Sequence, residues 1–140
     1  MKSFHYMMMA TQSVFQKKIL EVTGKHGLLP GQPKVLDFLK DNDGCEQKEI
    51  AKGCCLEPAT VTGVMGRMEK SGLITRTQLN GNRRSLYVFM TEKGREMSKV
   101  VQTTFSAQEN RVFTDFTDGE KKEFIRLLGK VYKNLQGEEL

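Results

Sequence analysis

The chain has 140 residues, of which 38% are hydrophobic and 28% charged, and its formal net charge is +5. This length fits one domain with its own core, and this composition is typical of a globular rather than a disordered chain. No apolar stretch approaches the roughly 18 residues of a membrane span, and residues 1–10 lack the apolar centre of a signal peptide. We therefore expect a cytoplasmic protein without a membrane partner.

The N-terminal third predicts two helices separated by glycines. Residues 4–23 form the first, because apolar side chains recur at steps of three, four or seven at Phe4, Met8, Phe15, Ile19 and Val22. Gly24 and Gly27 end it. We expect Pro30 to open the second helix, where its missing N–H costs nothing, and its buried face to comprise Val35, Leu36 and Leu39. A turn follows at 41–44.

Two short helices and a hairpin are predicted in the middle of the chain. The first helix covers 46–52, and after a break at 53–57 the second covers 58–71, opened by Pro58 and closed by Gly72. Its apolar stripe consists of Val61, Val64, Met65 and Met68. Residues 73–78 and 86–90 are rich in β-formers, and the turn signal at 80–82 joins them into a hairpin.

Two long helices complete the chain. The first carries an apolar stripe at Met97, Val101, Phe105, Val112 and Phe116. The second carries one at Phe124, Leu127, Leu128, Val131 and Leu135. Thr117 or Asp118 is expected to cap the second helix. The fold class is therefore mainly α with a small β-hairpin.

The order of two short helices, a tight break and a hairpin predicts a winged helix-turn-helix, in which a helix enters the major groove of DNA and the hairpin reaches the neighbouring backbone. Residues 58–91 hold five basic residues and one acidic residue, and so carry +4 of the total +5. Candidate DNA contacts in the helices are Gln47, Lys48, Pro58, Thr60, Thr62, Gly63 and Arg67. Candidate contacts in the hairpin loop, together with Asn80, are Asn82, Arg83 and Arg84.

Plainer interpretations of these residues stay open. Arg67 can instead form an ion pair on the helix surface, and Gln47 and Lys48 can be solvated side chains rather than phosphate contacts. Arg83 and Arg84 can belong to an ordinary exposed loop. A winged helix used for protein contact is an alternative function, although such a wing would need no arginines.

The ordered motifs resemble those of the multiple-antibiotic-resistance regulator (MarR) family. The resemblance covers residues 28–96 and rests on segments at 29–36, 47–51, 57–62, 68–74, 83–84 and 86–94. It implies one domain over 1–140, with 28–96 as the DNA-binding core and the helices of 1–27 and 97–140 as the dimerisation region. It further implies a homodimer that binds a pseudo-palindromic operator, as a repressor controlled by a small ligand. Gly63 departs from the family, which often has a basic or polar side chain there.

Other candidate sites are few. The three cysteines are Cys45, Cys54 and Cys55, an odd number typical of reduced cytosolic thiols, with a redox or metal sensor at Cys54 and Cys55 as the alternative. His5 and His26 lie far apart, so no metal site is expected. The apolar start of the chain is more typical of dimer core than of a ligand site. A small aromatic or phenolic ligand there would contact Tyr6, Met9 and Phe15.

Catalytic motifs are absent from the sequence. It contains no Gly-x-Ser-x-Gly, phosphate-binding loop or dinucleotide-binding glycine pattern. We therefore expect a DNA-binding regulator that needs no cofactor, and not an enzyme.

Overall fold

The structure is a computed structural model that describes residues 1–79, 81 and 84–140. Its elements, in chain order, are α1 (Phe4–Thr23), a 3-10 turn (Gly24–His26), α2 (Gln32–Asn42), β1 (Cys45–Glu46), α3 (Gln47–Gly53), α4 (Pro58–Lys70), β2 (Ile74–Thr77), β3 (Tyr87–Met90), α5 (Glu92–Val112) and α6 (Asp118–Gln136). Helices dominate and the sheet is small, which confirms the predicted fold class.

Local signals at the helix ends explain most of these bounds. Pro58 is the first residue of α4, and Gly72, with φ +77°, lies just past the end of that helix. Thr117 caps α6: its hydroxyl accepts from the Glu120 N–H, and the Glu120 carboxylate accepts from the Thr117 N–H. These ends are the ones that the sequence predicts.

The start of α2 differs from the prediction that Pro30 opens it. Gly31 is the N-cap, with φ +86°, and Pro33 occupies the first turn. The side-chain carbonyl oxygen of Gln32 accepts from the Leu29 N–H at 3.0 Å, which holds the preceding loop outside the helix. The prediction was wrong because two prolines stand three residues apart, and only the left-handed glycine between them decides which one is helical.

The sheet has one strand more than the predicted hairpin. Its antiparallel order is β1-β3-β2, and Cys45 pairs with Val88 while Thr77 pairs with Tyr87. The side chain of Asp43 accepts from the Met90 N–H at 2.7 Å just beyond the β1 pairing. Residues 45–46 therefore connect the start of α3 to the hairpin of β2 and β3, which is the wing of the predicted winged helix-turn-helix.

One apolar core joins α2, α3, α4, the sheet and α5. Its buried members include Leu36, Leu39, Ile50, Val61, Met65, Met68, Ile74, Val88 and Val101. The start of α5 packs so closely against the segment after α4 that a Cβ on Gly94 would collide with the Leu73 carbonyl oxygen. The four apolar residues predicted on α4 are all buried. This core fixes α3 and α4 relative to the wing.

The chain separates into two compact units, 1–108 and 109–140. Within the second unit, Phe113, Phe116 and Phe124 meet edge to face, with ring centroids 5.3 to 6.2 Å apart. Phe116 was expected on the α5 stripe, but α5 ends at Val112 and Phe116 lies in the turn before α6. Among the described residues, no helix is both long and apolar enough to cross a membrane.

The apolar stripes of α1 and α6 are mostly exposed in the single chain. On α1 only Ile19 and Thr23 are buried, while Phe4, Tyr6, Met8 and Met9 are exposed. On α6 no described residue is buried, and Phe124, Ile125, Leu127 and Leu128 are each 38–52% exposed. Both helices therefore present large apolar side chains that the chain itself does not cover.

Candidate nucleic-acid interface

A cleft of about 310 Å³ lies where α3, the first turns of α4 and the segment before β3 meet. Five of the ten predicted DNA contacts line it, namely Gln47, Lys48, Pro58, Thr62 and Arg84. Asn82 and Arg83, together with Asn80, lie outside the described residues. The cleft thus combines the starts of two helices with the C-terminal end of the wing loop.

The start of α4 presents Thr62 to this cleft. Thr62 is exposed, and its hydroxyl donates to the Pro58 carbonyl oxygen one turn earlier, at 3.1 Å. The hydroxyl proton is therefore already used, and the side chain offers an acceptor oxygen and a methyl group to a partner. A methyl group and an acceptor suit the edges of bases in a major groove.

The start of α3 borders the cleft on its other side. The Gln47 N–H donates to the Leu86 carbonyl oxygen at 2.9 Å, which attaches α3 to the strand that follows the wing loop. Lys48 forms an ion pair with Glu46 at 3.3 Å, but the lysine side chain remains 72% exposed. Exposed pairs contribute little. Lys48 can therefore exchange this carboxylate for a phosphate.

Thr60 and Arg67 lie at a different surface. Both line a cavity of about 480 Å³, together with residues of α1, α2 and α5, including Phe15, Ile19, Lys34, Leu56, Val64 and Phe105. Residues two apart on a helix are about 200° apart around its axis, so Thr60 and Thr62 point to opposite sides of α4. The apolar stripe in the sequence of α4 predicts that both threonines lie outside the core, but it does not predict that they face different surfaces.

Gly63 contributes no side chain, and its place is partly taken by Arg67. A Cβ at position 63 would lie 3.3 Å from Nη1 of Arg67, so the guanidinium packs along the bare backbone of α4. Any DNA contact at Gly63 would therefore be made by backbone atoms.

Of the three predicted ligand contacts, the structure brings one to the cavity. The Phe15 ring lies 6.3 Å from that of Phe105, centroid to centroid, and both line the cavity. Tyr6 and Met9 are exposed near the start of α1 and are not among the lining residues.

The two adjacent thiols have different environments. Cys54 is buried, its thiol contacts the Lys34 carbonyl oxygen at 3.5 Å, and burial raises its pKa to about 11. Cys55 is exposed in a left-handed conformation with φ +53°. A thiol with a raised pKa is a poor nucleophile, so Cys55 is the better candidate for modification.

The sequence analysis assigns no individual role to Arg76 on β2 and counts it only among the basic residues of 58–91. In the structure, its guanidinium contacts both Glu69 and Gln47. Gln47 lies 29 positions away, and no short-range motif indicates such a contact.

The fold and this cleft define a winged helix-turn-helix protein with α4 in the position of the recognition helix. A model of the MarR family matches residues 28–86. The chain is 23% identical over 107 residues to the homoprotocatechuate degradative operon repressor of Escherichia coli, covering 76% of this chain and 72% of that protein. The part of the chain that is similar to the MarR family is thus residues 28–86, which contain α3, α4 and β2.

Solved structures show the same fold. S. aureus MepR, in a complex with DNA, matches with a TM-score of 0.91 at 20% identity, over 97% of this chain and 100% of that one. NadR in complex with 4-hydroxyphenylacetate matches with a TM-score of 0.76 at 15% identity, over 95% of this chain and 94% of that one.

Proposed function

We propose that this protein is a homodimeric, sequence-specific transcriptional repressor that binds a pseudo-palindromic operator and is released by a small aromatic acid. It acts in the cytoplasm by binding rather than by catalysis. The observation that carries the proposal is the cleft that joins Gln47, Lys48, Thr62 and Arg84 on one surface. These residues come from α3, α4 and the segment before β3, and together they offer polar and cationic groups that can contact bases and phosphates.

The dimensions of α4 suit a DNA groove. A helix of 13 residues is about 20 Å long, and the major groove is wide enough to admit it. Thr62 lies in its first half, where recognition helices contact base edges. The wing arginines, Arg83 and Arg84, extend the contact to the backbone or minor groove.

The exposed apolar stripes of α1 and α6 support a homodimer. Large exposed apolar side chains on a helix favour an interaction site, and a second copy of the chain offers the same two stripes in return. We propose that 1–27 and 97–140 form the dimerisation region around a single DNA-binding core at 28–96. Two recognition helices then read half-sites about one helical turn apart.

The cavity supports control by a ligand. Its walls are mainly apolar, but Lys34 and Arg67 bring two cationic side chains to it. Such a lining suits an aromatic ring that carries a carboxylate. The NadR structure contains 4-hydroxyphenylacetate, a molecule of this class. Thr60 and Arg67 face the cavity while Pro58 and Thr62 face the cleft, so a ligand that moves α4 changes both surfaces.

Selection of bound duplexes from a random pool tests the DNA-binding proposal. We expect sites with two-fold symmetry, and affinity that falls steeply with salt. The double variant Arg83→Ala/Arg84→Ala should flatten the log–log salt dependence by about 0.9 for every phosphate that each subunit no longer neutralises. Lys122→Ala, at an exposed lysine of α6, is the control and should leave the slope unchanged. Asymmetric sites and an unchanged wing-variant slope would contradict the proposal.

Release by ligand is tested on the selected duplex. Adding 4-hydroxyphenylacetate should weaken binding, whereas its neutral amide should not, because only the acid pairs with the cationic side chains. Arg67→Met should reduce this difference, because only Lys34 then remains to pair with the acid. Equal effects of acid and amide would contradict an anion-binding cavity.

A further inference from the structure

Arg76 connects three elements of the DNA-binding core. From the middle of β2, its Nε and Nη2 donate to the two carboxylate oxygens of Glu69, at 3.4 and 3.2 Å, in the last turns of α4. Its Nη1 donates to Oε1 of Gln47, the first residue of α3, at 3.1 Å. The side chain is only 19% exposed. One guanidinium thus joins the recognition helix, the wing and the helix before them.

This contact determines which end of the Gln47 amide is available. A guanidinium has only donors, so it can hold only the carbonyl end of an amide. The NH2 group is then the end that can donate to a further partner. Gln47 lines the cleft, and a phosphate oxygen is an acceptor that an NH2 group can reach there. Without Arg76, the amide could equally turn its carbonyl oxygen towards the phosphate, which repels it.

Glu69 fixes Arg76 in turn. Two parallel contacts between a planar guanidinium and a carboxylate restrain both position and plane. The hydrogen bond from Arg76 lowers the pKa of Glu69 below its ordinary value, so the carboxylate keeps its charge to a lower pH than an unpaired glutamate does. A lysine at position 76 would keep the charge but could not contact Glu69 and Gln47 with the same rigid fork.

We propose that Arg76 is a positioning residue for DNA binding: held by Glu69, it orients the amide of Gln47 as a phosphate donor at the cleft. This inference rests on the proposed DNA-binding function. Arg76 itself does not contact DNA in this proposal. Its ion pair with Glu69, between α4 and β2, instead determines whether Gln47 on α3 can donate to a phosphate.

A double-mutant cycle in the dissociation constant tests the coupling. Gln47→Ala should weaken binding to the selected duplex about tenfold or more, because each subunit loses a hydrogen bond to a charged group. Arg76→Met should weaken it similarly, and the double variant no more than Gln47→Ala alone. If Arg76 merely stabilises the fold, the two effects multiply, and that result would overturn the inference.

A charge exchange separates positioning from stability. Glu69→Arg/Arg76→Glu can restore the ion pair, but a carboxylate at position 76 accepts from the Gln47 NH2 group and withdraws the donor from the cleft. The thermal midpoint should therefore recover relative to Arg76→Met, while affinity stays as weak as in Gln47→Ala. Recovery of affinity along with stability would contradict the proposal. The control exchanges Asp37 and Lys40, an exposed pair on α2 at 3.0 Å that lines neither the cleft nor the cavity, and should change neither measurement.

Selection with the wild-type protein distinguishes failure of the proposed DNA-binding function from failure of the role of Arg76. If it selects no duplex from the random pool, the proposed function fails and the inference fails with it. If it selects a duplex but the cycle shows independent effects, only the role of Arg76 is refuted.

Discussion

The separation of Thr60 from Thr62 gives a sharp test of which surface of α4 binds DNA. Thr62 lines the cleft, whereas Thr60 lines the cavity on the other side of the helix. Thr62→Ala should therefore lower the preference for the selected duplex over a random one, and Thr60→Ala should leave that ratio unchanged. The pair is matched, because both threonines are exposed and lie in the first turns of one helix.

The size of the effect follows from the geometry of Thr62. Its hydroxyl proton is used at the Pro58 carbonyl oxygen, so it cannot form the two-point contact that gives the strongest base discrimination. We therefore expect the low end of the range for a base contact, about 1 kcal/mol in each subunit. Two subunits give about 2 kcal/mol, or roughly a 30-fold reduction in the affinity ratio.

The assay is a titration of labelled selected and random duplexes at one fixed salt concentration. Thr62→Val retains a methyl group but lacks the acceptor oxygen, and so separates thymine contact from hydrogen bonding. Unfolding curves should show no decrease in stability, since alanine is the better helix former. If Thr62→Ala keeps the wild-type ratio while Thr60→Ala lowers it, the assignment of the two surfaces must be reversed.

Three further predictions concern stability and thiol chemistry. Gly94→Ala should lower the free energy of unfolding by about 3 kcal/mol or more, because its Cβ meets a backbone oxygen that cannot move aside. Gly129→Ala is the control in the same denaturant titrations and should not destabilise the fold, because a Cβ there meets nothing within 4 Å. Because the pKa of Glu69 is lower in the folded than in the unfolded state, its contribution to stability is present above about pH 4.5 and is lost as the pH falls through the folded-state pKa. The difference in the free energy of unfolding between the wild-type protein and Glu69→Gln should therefore shrink on acidification. Mass spectrometry after iodoacetamide treatment of the native protein should find Cys55 alkylated and Cys54 protected, and equal labelling of both would contradict the buried environment of Cys54.

Most of the element order follows from the sequence because its signals are local. Helix period, the proline at the start of α4, the glycine past its end and the threonine cap of α6 each act within a few residues. The surplus of positive charge at 58–91 is likewise visible in the chain itself. These features are enough to indicate a winged helix-turn-helix, and their order accounts for the resemblance to the MarR family.

The contacts that organise the site depend on residues far apart in the chain, and only the tertiary structure decides them. A strand of two residues such as β1 has no periodicity, and it exists because β3 lies beside it. Which side of α4 each threonine faces depends on where α1, α5 and the wing pack around that helix. The link from Arg76 to Gln47 spans 29 residues. Sequence patterns specify which residues avoid water, whereas packing between distant elements specifies which of the remaining residues meet.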